Sequence, residues 1–182
     1  DGSVVAAVFA DAEGGLWLHD IRYLKHDPAR IAEVDEATQL CRQVAAFVRD
    51  LYLPAVTIET NGIGRFLPSL LRRELQLAGL RCAVLEKNSS RNKDLRILEA
   101  FEVVLAGGRL AAHRSVWETP FIEEMREWRP GGRGRDDGLD AVAGCLADEP
   151  VRLPRLEAPP PGGSRSWRSG HGIVQLDDAF DP

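Results

Sequence analysis

A run of six apolar residues, Val4 to Phe9, is followed by Asp11-Ala12-Glu13-Gly14-Gly15 and then by Leu16, Trp17, Leu18, Ile21 and Tyr23. Continuous apolarity over so short a stretch fits a strand buried on both faces. The Gly pair supplies backbone angles that a tight turn needs. The chain therefore opens as a β-hairpin, and everything after it alternates between helical and strand patterning. Pro28 starts an expected helix to about Leu51, with Ile31, Val34, Ala37, Leu40, Cys41, Val44, Ala45 and Val48 at helical spacing. Pro54 to Glu59 is a short β-rich run. Ile63, Phe66, Leu67, Leu70, Leu71, Leu77 and Ala78 form an apolar stripe ending at Gly79. Arg81 to Glu86 reads as a strand, Asp94 to Ala106 as a helix closed by Gly107-Gly108, and Arg109 to His113 as a short strand. Glu118 to Trp128 and Asp137 to Ala147 read as helices. A hairpin followed by such alternation predicts an α/β domain with a mixed, partly parallel sheet flanked by helices.

Composition narrows the class. The 182 residues are 44% hydrophobic and 28% charged, with a formal charge of -5. That balance suits a single globular domain and argues against wholesale disorder, a collagen-like repeat or a coiled coil. No run reaches the roughly 18 apolar residues of a membrane helix. The first residues lack the basic start of a signal peptide. Three separated cysteines, Cys41, Cys82 and Cys145, fit a reduced, cytoplasmic protein better than a disulfide scaffold or a zinc site. The pattern divides near residue 150. Residues 151–182 contain Pro159-Pro160-Pro161-Gly162-Gly163 and a Ser-, Gly- and Arg-rich stretch, a composition expected to stay disordered as a flexible tail. The segment Ile173-Val174-Gln175-Leu176 is an alternative docking element within it.

Two acidic segments carry the chemistry. Glu59 ends a strand and precedes Thr60-Asn61-Gly62-Ile63-Gly64. Sites in open α/β sheets gather at the carboxyl ends of strands, and a helix N-terminus after the glycines favours an anion. The bland alternative is an exposed strand-end Glu before an N-cap loop. The second segment is Asp136-Asp137-Gly138-Leu139-Asp140-Ala141. Asp137 and Asp140 share one helix face and repel each other unless a cation lies between them. The bland alternative is a doubled N-cap, which leaves Asp140, within an otherwise apolar segment, unexplained. Together the carboxylates suggest a site for Mg²⁺ or Mn²⁺, two ions in the arrangement that cleaves phosphodiesters. Arg91, Lys93 and Arg96 flank one segment. Arg126, Arg129, Arg133 and Arg135 lead into the other through a Gly-rich loop, and such basic strips suit a DNA backbone. Net acidity argues against coating of nucleic acid by bulk charge but leaves room for a nuclease gripping through local strips. The four histidines lack ligand spacing. No GxxxxGK[ST], GxSxG or catalytic Cys–His pattern occurs.

Val56-Thr57-Ile58-Glu59-Thr60-Asn61-Gly62-Ile63-Gly64 resembles the second acidic motif of the C-terminal nuclease domain of phage terminase large subunits. Asn92-Lys93-Asp94-Leu95-Arg96-Ile97 resembles that family's Lys-x-x-Arg-Ile helix start, and Gly108-Arg109-Leu110 its following strand. Asp136 to Ala141 is similar to its third acidic motif. The ordered set spans roughly residues 1–148. The resemblance implies a ribonuclease H-like fold, related to Holliday-junction resolvases. It implies a metal-dependent endonuclease that cuts concatemeric double-stranded viral DNA during packaging in a host cytoplasm. Glu59 and Asp137 would be catalytic metal ligands, and Asp140 a third ligand or a residue that orients one. Lys93, Arg96, Arg133 and Arg135 would meet DNA, with positioning of the acids as the alternative role of Lys93, and a portal protein and a small terminase subunit would be the protein partners.

One departure stands out. The family places its first catalytic Asp on the first strand, and Val4 to Phe9 contains none. Asp1 matches the far side of the loop after that position. The expectation is that the first-strand Asp lies upstream or is lost, and that this chain by itself is a weak or dead nuclease. The family's N-terminal ATPase motor is absent from the chain too. The alternatives are a resolvase or transposase of the same fold, and a non-catalytic DNA- or portal-binding module.

Overall fold

The computed structural model describes residues 2–60, 66–88, 91–148 and 150–153. The expected tail from residue 154 onward, with its docking alternative, and the glycines Gly62 and Gly64 lie outside the described residues. Strand β1 (Ser3–Ala10) pairs antiparallel with β2 (Leu16–Leu24), with a register shift between Ala7 and Val8. The turn between them is built by Asp11, whose Oδ1 accepts the amides of Gly15 at 2.6 Å and Glu13 at 3.1 Å. Gly14 takes a φ of 86°, which a side chain would strain. The edges of this hairpin are extended by parallel pairing: β5 (Leu110–Ala112) along β2 and β6 (Val151–Arg152) along β1. The four-stranded sheet has the order β5-β2-β1-β6.

A second sheet is separate. Strands β3 (Ala55–Glu59) and β4 (Ala83–Lys87) form a two-stranded parallel pair, joined through helix α2 (Leu67–Leu77). The remaining helices are α1 (Glu36–Leu51), α3 (Lys93–Ala106), α4 (Phe121–Glu127) and α5 (Asp137–Ala147). The architecture is α/β with a mixed sheet between helical layers, as the alternation predicts. What the alternation could not show is the break between the two sheets. Among the described residues no strand pairs with Ser3–Val8 on the side of β1 away from β2.

Packing follows the period of two along β1. Val5 and Ala7 face Phe47 of α1, which is fully buried. Val8, with Val4 and Ala6 beside it, faces the opposite core of Leu18, Ile21, Ile97, Phe101, Val116, Phe121, Leu139, Val142 and Ala143. Helices α3 and α5 thus cover one face and α1 the other. A further core, Cys41, Ala45, Val48, Leu71, Leu75 and Val84, joins α1 and α2 to the β3–β4 pair. No helix among the described residues is long and apolar enough to cross a membrane.

Several boundaries differ from expectation for local reasons. The helix expected from Pro28 breaks into a 3₁₀ turn, Pro28–Arg30, and a helix that begins only at Glu36. Two separate caps divide it: Asp27 Oδ1 accepts from Ala29 N at 3.0 Å, and Asp35 Oδ1 from Thr38 N at 2.9 Å. Ile31, counted in the apolar stripe, is consequently exposed. The helix expected from Glu118 starts at Phe121, after a 3₁₀ segment Arg114–Glu118. Residues 151–153 belong to the fold instead of the tail, because Val151 and Arg152 pair with Phe9 and Ala10, and Leu153 N donates to Ala10 O at 2.8 Å.

Candidate functional site

The first turn of α5 sets the site. Asp136 occupies the N-cap position, yet its side chain makes no capping hydrogen bond. The doubled-cap alternative therefore fails. The orphan amide of Gly138 is satisfied from another helix: Glu124 Oε2 of α4 accepts it at 2.9 Å. Released from capping, Asp136 Oδ1 meets Lys93 Nζ at 2.8 Å. Asp137 Oδ1 reaches the same ammonium at 3.2 Å, and Asp140 Oδ2 lies 4.0 Å from it. Lys93 is the first residue of α3, which Asn92 starts by accepting from Asp94 N at 2.8 Å. Packing of Ile97 and Phe101 with Leu139, Val142 and Ala143 keeps the two helix starts side by side.

Arg96, one turn further along α3, brings in the second acidic segment. Its Nε donates to Asp140 Oδ1 at 2.9 Å, and its Nη1 lies 3.1 Å from Glu59 Oε2. The Arg96 side chain is only 14% exposed, so its pair with Asp140 is partly shielded from solvent screening, while Glu59 stays 40% exposed. Lys87, opposite Glu59 in the parallel pair, ties β4 to the other end of α5 through Asp148. The β3–β4 pair is thus docked on α5 by ion pairs. Glu59, Asp137 and Asp140, named from sequence spacing, do converge around Lys93 and Arg96.

Proton affinities follow the charges. Burial works against the charged form of Lys93, but hydrogen bonds to Asp136 and Asp137 outweigh it and hold the ammonium above its usual range. Burial likewise works against Arg96, and Asp140 and Glu59 overcome it. Burial would raise Asp137, while the Gly2 amide, 2.8 Å from its Oδ2, and Lys93 hold it below the usual carboxylate range. The amide at the start of β1 thus points into the site.

Arg133 and Arg135 are exposed on the loop before α5. That loop is tied to α3 by Gly131 N donating to Asp94 Oδ2 at 2.7 Å, with Gly131 at a φ of 72°. Arg91 lies 3.2 Å from Glu99 on the outer face of α3, away from the acids of α5 by its pairing. Residues that spacing did not single out are Asp136 as a partner of Lys93, and Glu124 and Tyr23 beneath α5. Burial first, then the Glu124 carboxylate, push the Tyr23 phenol far up, so it stays protonated. A Cβ on Gly138 would lie 2.1 Å from Tyr23 Oη and 2.7 Å from Glu124 Oε2. A Gly inside the first turn of a helix was the one sequence signal of this close approach.

The donors suit a hard divalent ion, being carboxylate oxygens only. Four carboxylates (Glu59, Asp136, Asp137, Asp140) face the two cations Lys93 and Arg96, a formal excess of two negative charges. That excess equals one divalent ion. Among the described residues no three His, Cys, Asp or Glu side chains are grouped to hold an ion as they stand. Lys93 and Arg96 are paired with these acids, so both cations would have to leave them before an ion could be held there. Chemistry and charge fit Mg²⁺ or Mn²⁺, and Glu59, Asp137 and Asp140 are the residues that would hold it. The fold and the cluster define an α/β protein with an acidic site at the carboxyl end of a parallel strand, closed by two internal cations. No protein-family model matches the chain. No curated protein matches it either.

Proposed function

We propose that this chain is a Mg²⁺- or Mn²⁺-dependent endonuclease domain of the kind found in viral DNA-packaging terminases, cutting double-stranded DNA. The observation that carries the reading is the meeting of Glu59 with Asp137 and Asp140 through Lys93 and Arg96, from segments far apart in sequence. A divalent ion in such a site supplies an activated water and stabilises the leaving oxygen of the phosphodiester. Glu59, Asp137 and Asp140 would hold the ion, and Asp136 keeps Lys93 charged beside them. Once released, Lys93 and Arg96 are placed to take a phosphate oxygen as a charge-assisted donor. Arg133 and Arg135, on the exposed loop, hold the flanking backbone. A portal protein and a small terminase subunit are the protein partners this reading implies.

Plasmid cleavage with Mn²⁺ tests the reading, using the chain extended upstream together with Glu59→Ala and Asp137→Ala. Each variant is expected to lose at least about 100-fold in rate, as for removal of a residue that stabilises charge at the reacting phosphate. Full retention of cleavage by both variants rejects the site. A second reading, a non-catalytic module that binds DNA or a portal, is favoured by one observation: the acids are partly neutralised by Lys93 and Arg96. DNA binding by the extended chain with no cleavage in either metal selects it. Preference for branched over linear duplex would move the assignment to a resolvase of the same fold.

A further inference from the structure

We infer that Glu124 is the positioning residue of the acidic site: by capping α5 from α4 it frees Asp136 from capping duty and aims the α5 aspartates at Lys93 and Arg96. The inference rests on the proposed reading of those aspartates as the working acids.

Three observations carry it. First, Glu124 is only 5% exposed and lies against the Tyr23 phenol, whose proton affinity it helps burial to raise. A carboxylate buried at this cost is kept where its geometry is used. Second, its other oxygen, Oε2, accepts from Gly138 N, the second residue of α5. An N-cap aspartate ordinarily turns its own carboxylate back onto such an amide. Asp136 instead presents its Oδ1 to Lys93. Were Asp136 to cap the helix, it would leave Lys93. Third, the Glu124–Tyr23 floor leaves no room for a Cβ at Gly138, so the first turn of α5 rests directly on it. That contact fixes the rotation of the turn about its axis, and with it the direction of Asp137 and Asp140. None of these groups touches the ion or the substrate. They act through α5.

The test uses the chain that is assayed for cleavage, with Glu124→Gln, Glu124→Asp and Glu124→Leu. Gln keeps an acceptor oxygen at the same reach, Asp keeps the charge but withdraws it by one methylene, and Leu removes the acceptor. The measurements are exchange of the Gly138 amide, the NMR signal of the Arg96 Nε–H that bonds Asp140, and Mn²⁺ affinity by calorimetry. The Gln variant is expected to match the wild type in all three. Asp and Leu are expected to speed Gly138 exchange about five- to tenfold, the loss of one cap bond, and to shift the Arg96 signal. They are also expected to weaken Mn²⁺ binding by about 10- to 100-fold, the scale for an outer-shell partner. A folded Asp or Leu variant with all three readouts unchanged overturns the inference, as does a Gln variant as damaged as Leu. The Asp variant decides the matter if Leu does not fold. If the wild type binds no Mn²⁺, the metal reading fails while Gly138 exchange and the Arg96 signal still judge Glu124.

Discussion

The aspartates of α5 and the glutamate of β3 share one cluster, with Asp137 at Lys93, Glu59 at Arg96 and Asp140 at both, but they stand on unlike supports. Helix α5 is sunk in the larger core, with Leu139, Val142 and Ala143 almost fully buried, and its first turn rests on Tyr23 and Glu124. Glu59 ends a five-residue strand that has one hydrogen-bonded neighbour strand among the described residues, and Thr57 and Leu85 on that pair are exposed. One side of the site is held by close packing, which is rigid. The other is docked by Arg96 to Glu59 and Lys87 to Asp148. Two of the acids are thus fixed by packing and the third is held by ion pairs.

Core truncation gives the sharpest break between the two sides. Phe121→Ala removes a fully buried ring beside α5 and should cost about 3–5 kcal/mol. Leu71→Ala, in the α1–α2–β4 core, should cost about 2–5 kcal/mol. Urea unfolding measures both. The comparison predicts that in folded Leu71→Ala the Arg96 Nε–H signal to Asp140 survives, whereas in Phe121→Ala it does not. Equal loss of that signal in both variants would merge the two supports into one.

Acid should act on the α1–α2 side through Glu74. Burial raises the proton affinity of this side chain, but Arg42 at 3.0 Å and Arg73 at 3.0 Å outweigh it and hold the carboxyl below its ordinary 4.5. A carboxyl depressed in the folded state contributes stability above its unfolded value, and that contribution is lost as pH falls below about 4.5. Glu74→Gln is expected to cost about 1–3 kcal/mol at pH 7. It should also flatten the fall in stability between neutral pH and about pH 3.5, read from urea midpoints. An unchanged acid slope would remove Glu74 from the account.

The smallest expected effect belongs to the docking pair. Lys87 and Asp148 are about two-fifths exposed, so Lys87→Ala should change global stability by less than about 1 kcal/mol. Its mark should appear locally, as faster amide exchange along β4 with no change in α5. Uniform acceleration across both elements would show that the β3–β4 pair is not separately docked.

Much of this was legible from residue order. Periodicity placed β1, β2, α3 and α5 almost at their observed bounds; the hairpin and α3 carry their own turn and caps, Asp11, Asn92 and Gly107, whereas α5 takes its cap from Glu124 of α4. The stretch from Pro28 misled because apolar spacing runs through two caps, Asp27 and Asp35, whose hydrogen bonds outweigh a weak stripe. Asp137 and Asp140 were legible as a repelling pair in need of a cation, Glu59 as an acid at the carboxyl end of a strand, and Lys93 as one that could position the acids. That Arg96 pairs Asp140 with Glu59 was not, since neither spacing nor composition measures a distance between α3, α5 and β3.

By itself, then, the sequence determined the local elements and the identity of the charged groups, because caps, turns and periodicity act over a few residues. Only the tertiary structure decided which helix caps α5, which sheet carries Glu59, and which cations stand between the acids. Those choices depend on packing between segments 14 to 44 residues apart, as in Gly138 with Glu124 and Arg96 with Asp140. Local chemistry carries no information about which of many possible partners burial will bring within bonding distance.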